Sequence, residues 1–290
     1  MDIELLKTFL KIVEYSSFSN AAAELNLTQP AVSKRVHSIE KQLGSKVFDR
    51  IGHQILLTDA GEVLKVHAVK MINAFENCQH AISNLQQEVR GTLELATSHH
   101  VALHHLPSPL RNFNQTFPQV KINFHFLNSE EAYQAVLSTK VELAIITLSP
   151  KHSSQIKAHK LWEDPLIPTI SPSHPLHKAN TPVSLEELSQ YVAILPEKST
   201  YTREMIEEKF IEKSLRIQRV TDVNYLETIK KLVETGLGWS VLPTKMVDSS
   251  LIPIYNKELN MSRQLGLITH RSKTLSRAAV EFINILQKIR

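Results

Sequence analysis

Residues 18–61 constrain the fold more than any other stretch of this chain, because they encode two short helices, a corner and a hairpin in succession. Ala22, Ala23 and Leu25 share one face of a helix that Ser19 can cap. The connector Leu25-Asn26-Leu27-Thr28 leaves room only for a sharp helix-turn-helix corner. Thr28 can cap the second helix, and Pro30 is tolerated in its first turn, where the missing N–H would have no partner anyway. In that helix Val32, Val36 and Ile39 follow the spacing of a buried stripe, while Gln29, Ser33, Lys34 and His37 fall on the opposite face.

That opposite face could be an ordinary solvated surface, as most charged runs are. Its composition argues otherwise: Gln29, Ser33 and Lys34 are side chains that bond to base edges, and Glu–Lys pairs are lacking. After Gly44, Lys46 to Leu57 reads as a hairpin turning at Gly52-His53, a wing able to reach a groove or phosphate beside the helix. From Lys34 to Arg50 the chain carries five basic residues against two acidic ones, whereas its overall net charge is only +4. A nucleic-acid footprint is therefore local, and the segment reads as a double-stranded DNA reader.

This segment resembles the winged helix-turn-helix of the LysR-type transcriptional regulators. The match rests on Phe18, Ala22, Leu25, Gln29-Pro30-Ala31, Ser33, the Glu40 to Gly44 stretch, Phe48, Arg50, Leu57-Thr58 and Ala60-Gly61. The resemblance implies a repressor or activator that binds an inverted-repeat operator and responds to a small metabolite. One departure is local: many members carry arginines at the wing tip, where this chain has His53 and Gln54. The DNA-contacting set expected from residues and resemblance together is Thr28, Gln29, Pro30, Ser33, Lys34, Arg35, His37, Arg50 and His53. Gln29, Ser33 and Lys34 would read bases; Arg35, Arg50 and the wing around His53 would hold phosphates.

Thr58 followed by Asp59 is a good helix start. From there Gly61, Leu64, Ala68, Met71, Phe75, Cys78, Ile82, Leu85 and Val89 alternate in a 3-4 pattern with no Gly or Pro after Gly61, as in a coiled-coil seam. The stripe could pack on the chain's own C-terminal part, but its length and the polar opposite face favour a second subunit. Cys78 falls on this seam as a small apolar residue, without the basic neighbour a redox thiol needs, which argues against the peroxide-sensing branch of the family. As the only cysteine it excludes an intramolecular disulfide and a Cys-based zinc cluster.

Beyond Arg90-Gly91 strands and helices alternate, which predicts βα units, a mostly parallel sheet and an out-and-back path through two lobes. The expected organisation is an α/β chain in three parts. Residues 1–58 form an all-α winged helix-turn-helix, and 59–90 a long linker and dimerisation helix. Residues 91–290 form an effector domain like the periplasmic binding proteins, with lobe I about 91–160 and 264–290 and lobe II about 161–263.

Ligands in such lobes sit at the carboxyl ends of strands, near helix N-termini. That geometry selects Thr97, Ser98, His99 and His100, then Ser129, Thr147, Ser149, Thr200 and Thr202, a hydroxyl-rich set suited to a small anion or carboxylate. Helix capping alone explains one or two hydroxyls per segment. The Thr97-Ser98 and Thr147 placement is similar to that of the sulfur-assimilation branch of the family. His99, His100, His104 and His105 cluster, with His100 and His104 one helical turn apart, but no Cys, Asp or Glu follows before Glu130. Their expected place is the mouth of the effector site, with no metal and no cofactor; a metal-responsive regulator is the alternative.

The N-terminal residues show no export leader and no stretch approaches a membrane span, so a soluble, cytoplasmic regulator is expected. An enzyme is disfavoured, since seven glycines form no phosphate loop and no nucleophile elbow or metal triad is evident. A DNA-architectural protein without an effector would leave the two-lobed part idle. The reading is therefore a DNA-binding regulator, a homodimer through the linker helix or a dimer of dimers, controlled by an anionic effector.

Overall fold

The computed structural model describes residues 2–51, 54–85, 88–149, 151–177 and 182–288, with the side chains of 50 and 51 outside that description. The chain divides into two compact units, Met1–Leu85 and Gln86–Arg290.

In the first unit, α1 (Ile3–Tyr15) is capped by Asp2, α2 (Phe18–Glu24) by Ser17 and α3 (Gln29–Leu43) by Thr28. Ser17 rather than Ser19 caps α2: its hydroxyl accepts from Asn20 N at 3.3 Å, which leaves Ser19 inside the first turn. Asn26 turns the corner at φ 53, a left-handed conformation that asparagine tolerates better than most residues. The wing is β1 (Phe48–Ile51) against β2 (Gln54–Leu57), antiparallel, with Phe48 opposite Leu57.

α4 spans Asp59–Ser83, its first turn capped by Thr58 Oγ1 on Gly61 N at 3.0 Å. A Cβ on Gly61 would lie 2.1 Å from Val47 O, so this approach of helix to wing admits only glycine. The helix stops at Ser83 with Asn84 as cap, short of the expected Arg90, because Ser83 and Asn84 are weak helix formers whose side chains compete for the backbone. Val89 packs instead into the core of the second unit.

The expected seam also divides. Leu64 and Ala68, together with Ile72, which the seam did not include, are buried with Leu6, Phe9, Ile12, Val32, Val36 and Ile39 in the first unit's own core. Met71, Phe75, Ile82 and Leu85 remain exposed, by 43, 44, 59 and 84 %, and Cys78 is exposed with them. α1, which no motif or spacing singled out, supplies much of the surface that takes Leu64 and Ala68.

In the second unit, parallel strands β3 (Gly91–Thr97), β4 (Val120–Phe126) and β5 (Leu143–Thr147) alternate with α5 (His99–His104), α6 (Pro107–Thr116) and α7 (Ser129–Leu137). β6 (Ile156–Ile170) then carries the chain out to a second lobe. That lobe holds α8 (Leu185–Ser189), β7 (Val192–Leu195), α9 (Tyr201–Glu212), β8 (Arg219–Asp222), α10 (Leu226–Glu234), β9 (Ser240–Pro243) and β10 (Ile252–Pro253). β11 (Met261–His270) returns, and α11 (Arg277–Lys288) closes the first lobe.

The main sheet, ordered β10-β6-β11-β5-β3-β4 with β9 also on β6, is mixed rather than mostly parallel. The reason is topological: β6 and β11 run between the lobes in opposite directions and pair antiparallel over most of their length, with an irregularity at Leu265/Gly266. The first lobe is filled by residues such as Leu95, Phe113, Leu143 and Phe282, the second by Ile206, Phe210, Trp239 and Leu259.

Candidate functional site

The helical unit presents α3 with its apolar stripe sealed inside: Val32 and Ile39 are fully buried and Val36 nearly so. Gln29, Lys34 and His37 are exposed along the other face, and Ser33 is half-buried. Thr28 Oγ1 accepts from Ala31 N at 3.4 Å, which anchors the helix start with Pro30 in its first turn. The Gln29 amide donates to Ser33 Oγ at 3.0 Å, so two base-reading candidates hold each other in register one turn apart. The Arg35 guanidinium donates through Nη1 to Thr8 Oγ1 at 2.8 Å, tying α3 to α1. The Arg50 side chain and His53 lie outside the described residues.

Between the lobes of the second unit lies a cavity of about 320 Å³. Ser98, His99, His100, Ser129, Thr147, Thr200 and Thr202 line it, while Thr97 and Ser149 are not among its lining residues. Thr97 is fully buried and donates to Ile145 O at 2.9 Å, bracing β3 on β5.

Most of the other hydroxyls serve the backbone first. Ser98 and Thr200 cap α5 and α9, accepting from Val101 N and Arg203 N at 3.4 Å each. Ser129 and Ser149 accept from Thr147 N and Lys151 N at 3.1 and 3.2 Å. Helix capping thus accounts for Ser98 and Thr200, one position in each of their segments, while the hydroxyls of Ser129 and Ser149 are taken by other backbone amides.

The groups with chemistry to spare are ones the sequence does not single out. Glu130, at the start of α7, reaches across the cleft and accepts from Tyr201 N, the first amide of α9, at 2.6 Å. Burial raises its pKa above the usual carboxylate value. At the cleft floor Arg263 donates through Nε to Asp164 Oδ2 at 2.8 Å and through Nη1 to Thr202 Oγ1 at 2.8 Å. Asp164 and Arg263 are 1 and 6 % exposed, so the pair must compensate a large desolvation cost.

Burial pulls Asp164 upward, but the contacts with His100 and Arg263 outweigh it and hold the carboxyl down at about 2. Burial pushes His105 down to about 4, helped by the positive charge of Lys245, and lowers His100 as well, so both imidazoles are neutral at neutral pH. His99 stacks on Phe126 with centroids 4.7 Å apart and meets Tyr225 edge-on at 4.5 Å, forming an aromatic wall.

A parity signal could have found Arg263: it shares the inward side of β11 with Leu265 and Leu267, both buried, where a charge is anomalous. Asp164 and Glu227 carry no such local signal, yet both join the histidine cluster that looked devoid of carboxylates.

Comparison with known proteins places both units. A family model described as "Bacterial regulatory helix-turn-helix protein, lysR family" matches residues 3–62, and one for the "LysR substrate binding domain" matches residues 86–289. The uncharacterized HTH-type transcriptional regulator YbhD of Escherichia coli is 30 % identical over 98 % of this chain and 90 % of its own. The HTH-type transcriptional activator CmpR of a Synechocystis strain is 28 % identical over 97 % of this chain and 93 % of its own.

Among solved structures, a full-length OxyR variant of Pseudomonas aeruginosa superposes with a TM-score of 0.70 at 19 % identity, covering 99 % of this chain and 94 % of that one. Full-length CbnR in complex with its target DNA gives 0.64 at 18 %, covering 99 % of both chains. At such identities the likeness is one of fold. No helix among the described residues is long and apolar enough to cross a membrane. With a helix-turn-helix at one end and a two-lobed substrate-binding domain over the rest, the chain belongs to the LysR family of effector-responsive, DNA-binding transcriptional regulators.

Proposed function

We propose that this regulator binds a small carboxylate or related anion between its lobes, and that the effector takes the position Glu130 now holds on α9. The carrying observation is the 2.6 Å contact of the Glu130 carboxylate with Tyr201 N at a helix start, where backbone N–H groups and the helix dipole favour negative charge. Because an anion would replace an anion, the other acidic groups on the cavity wall meet little change in charge. Because Glu130 and Tyr201 come from opposite lobes, the exchange changes what holds the cleft together.

On this reading residues 1–58 read the operator, 59–90 couple, and 91–290 sense. Gln29, Ser33 and Lys34 contact bases, with Thr28, Pro30, Arg35, His37, Arg50 and His53 around them. The exposed half of the α4 stripe, Met71, Phe75, Cys78, Ile82 and Leu85, packs on a second copy. Two α3 helices then meet an inverted repeat, and pairs of dimers give the tetramer. The role is regulatory rather than enzymatic, exercised on DNA in the cytoplasm.

A thermal-shift screen of the full-length protein with acetate, citrate, benzoate, sulfate and phosphate tests the effector class. A rise in melting temperature with at least one anion, altered in Glu130→Ala, is the expected outcome. No shift with any of them would sink the anionic reading while leaving the DNA-binding assignment intact.

A further inference from the structure

The two lobes bring three metal-ligating side chains to one point. His100 and His104 lie one turn apart on α5, with ring centroids 4.9 Å apart. Glu227, in the first turn of α10, comes from the opposite lobe, and its Oε1 lies 3.4 Å from His104 Nε2. One donor atom from each of the three falls within 4.8 Å of the other two.

Two further observations separate this from a chance gathering in a histidine-rich chain. His100 is only 4 % exposed, yet neither of its ring nitrogens has a well-aligned hydrogen-bond partner among the described residues. Its Nε2 comes no nearer to Asp164 Oδ2 than 3.3 Å, on an oxygen already taken by Arg263. Glu227 Oε1 is likewise buried and without an aligned partner. Buried polar atoms are almost always satisfied in native proteins, and orphans that face one another call for a missing partner.

We propose that His100, His104 and Glu227 bind one divalent transition-metal ion of the zinc type, which bridges the two lobes of the regulatory unit. Two imidazoles and a carboxylate form a nitrogen-rich set that suits Zn²⁺, Co²⁺ or Ni²⁺ and not the oxygen-seeking Mg²⁺ or Ca²⁺. Three protein ligands leave a fourth position for water or an anion, on the cavity side, since His100 and Glu227 both line that cavity. A second set, His100, His105 and Asp164, is equally compact and shares His100. It is the poorer site, because Asp164 Oδ2 already carries the Arg263 guanidinium at 2.7 Å, whose charge repels a cation. The site does not depend on the anion reading of the cavity.

The test is calorimetric titration of chelator-treated, full-length protein with ZnCl₂ at pH 7.5, with Co²⁺ absorption as a report on coordination. One ion per chain is expected, with visible bands of a four- or five-coordinate N₂O site. His104→Ala and Glu227→Gln, both at partly exposed positions that the fold does not need, should each weaken binding at least tenfold, while His152→Ala leaves it unchanged. Binding below one ion per chain, or binding that neither variant weakens, would overturn the proposal. So would a loss confined to His105→Ala, which would move the ion to the inner set.

Discussion

The DNA-reading face of α3 and the inter-lobe cavity differ in how they hold their polar groups. On α3 Gln29, Lys34 and His37 are exposed and Ser33 half-buried, all from one short segment, and Gln29 and Ser33 are bonded to each other. In the cavity the polar groups come from distant segments, and at its floor Asp164 and Arg263, 99 residues apart, are buried and bonded to each other. The first region separates function from stability, so its side chains can be changed without loosening the core. The second couples them: Glu130 and the Asp164–Arg263 pair face the cavity and also tie its walls together, as a two-state switch requires.

The largest effect that would break this contrast is at Asp164. Replacing it with Ala leaves Arg263 charged and buried without its partner, which should cost about 3–5 kcal/mol of stability. Scanning calorimetry should show the loss in the transition of the 86–290 unit, with that of the 1–85 unit little changed. A loss below about 1 kcal/mol would mean the cavity floor is not structurally coupled.

Acid should reveal the same asymmetry. His105 has its pKa pushed from 6.5 to about 4 by burial, so the folded chain holds fewer protons than the unfolded one across that window. Stability is therefore intact above pH 6.5 and drains away as pH falls toward 4, by up to roughly 3 kcal/mol from this group. Asp164, held down at about 2, adds a further loss only below its ordinary value of 3.8. Denaturant melts between pH 7.5 and 4.5 should show the slope in the wild type and a flatter one in His105→Gln. A slope unchanged by the substitution would contradict the assignment.

On the other side, Gln29→Ala and Lys34→Ala should each cost about 1–3 kcal/mol in discrimination between the operator and a mutated operator. Their stability should stay within about 0.5 kcal/mol of wild type, as for exposed positions generally. Gel-shift titration paired with thermal denaturation separates the two numbers. The smallest effect is at Thr28: loss of its cap on Ala31 N should destabilise the helical unit by about 1 kcal/mol. That substitution sharpens the comparison, because Thr28 sits at the reading face yet acts through the fold.

The same contrast explains what was legible in the sequence. Caps, corners and helix stripes are local, so Thr28, Thr58, the wing and the α3 face could be read from spacing alone. The mixed sheet could not, because the direction in which β11 returns is set by where β6 left the first lobe. The α4 stripe misled in part: a 3-4 pattern does not say which partner buries it, and the first unit's core takes Leu64 and Ala68 and then Ile72 in place of the expected Met71. In the cavity the hydroxyls drew attention because they cluster in sequence, whereas Arg263, Asp164 and Glu227 converge only after the lobes form. Glu130 was hidden for another reason, since a glutamate in the first turn of a helix is ordinary until its carboxylate is seen on the far lobe.

The claim that α3 reads base sequence on behalf of a symmetric pair is tested most directly by selecting from random duplex DNA with the purified full-length protein and sequencing what is retained. An enriched inverted repeat is expected, its half-sites spaced for two helices on one face of the duplex, with base preferences that Gln29→Ala and Lys34→Ala each relax. Retained DNA without a shared motif, or the same motif at the same strength from both variants, would contradict it.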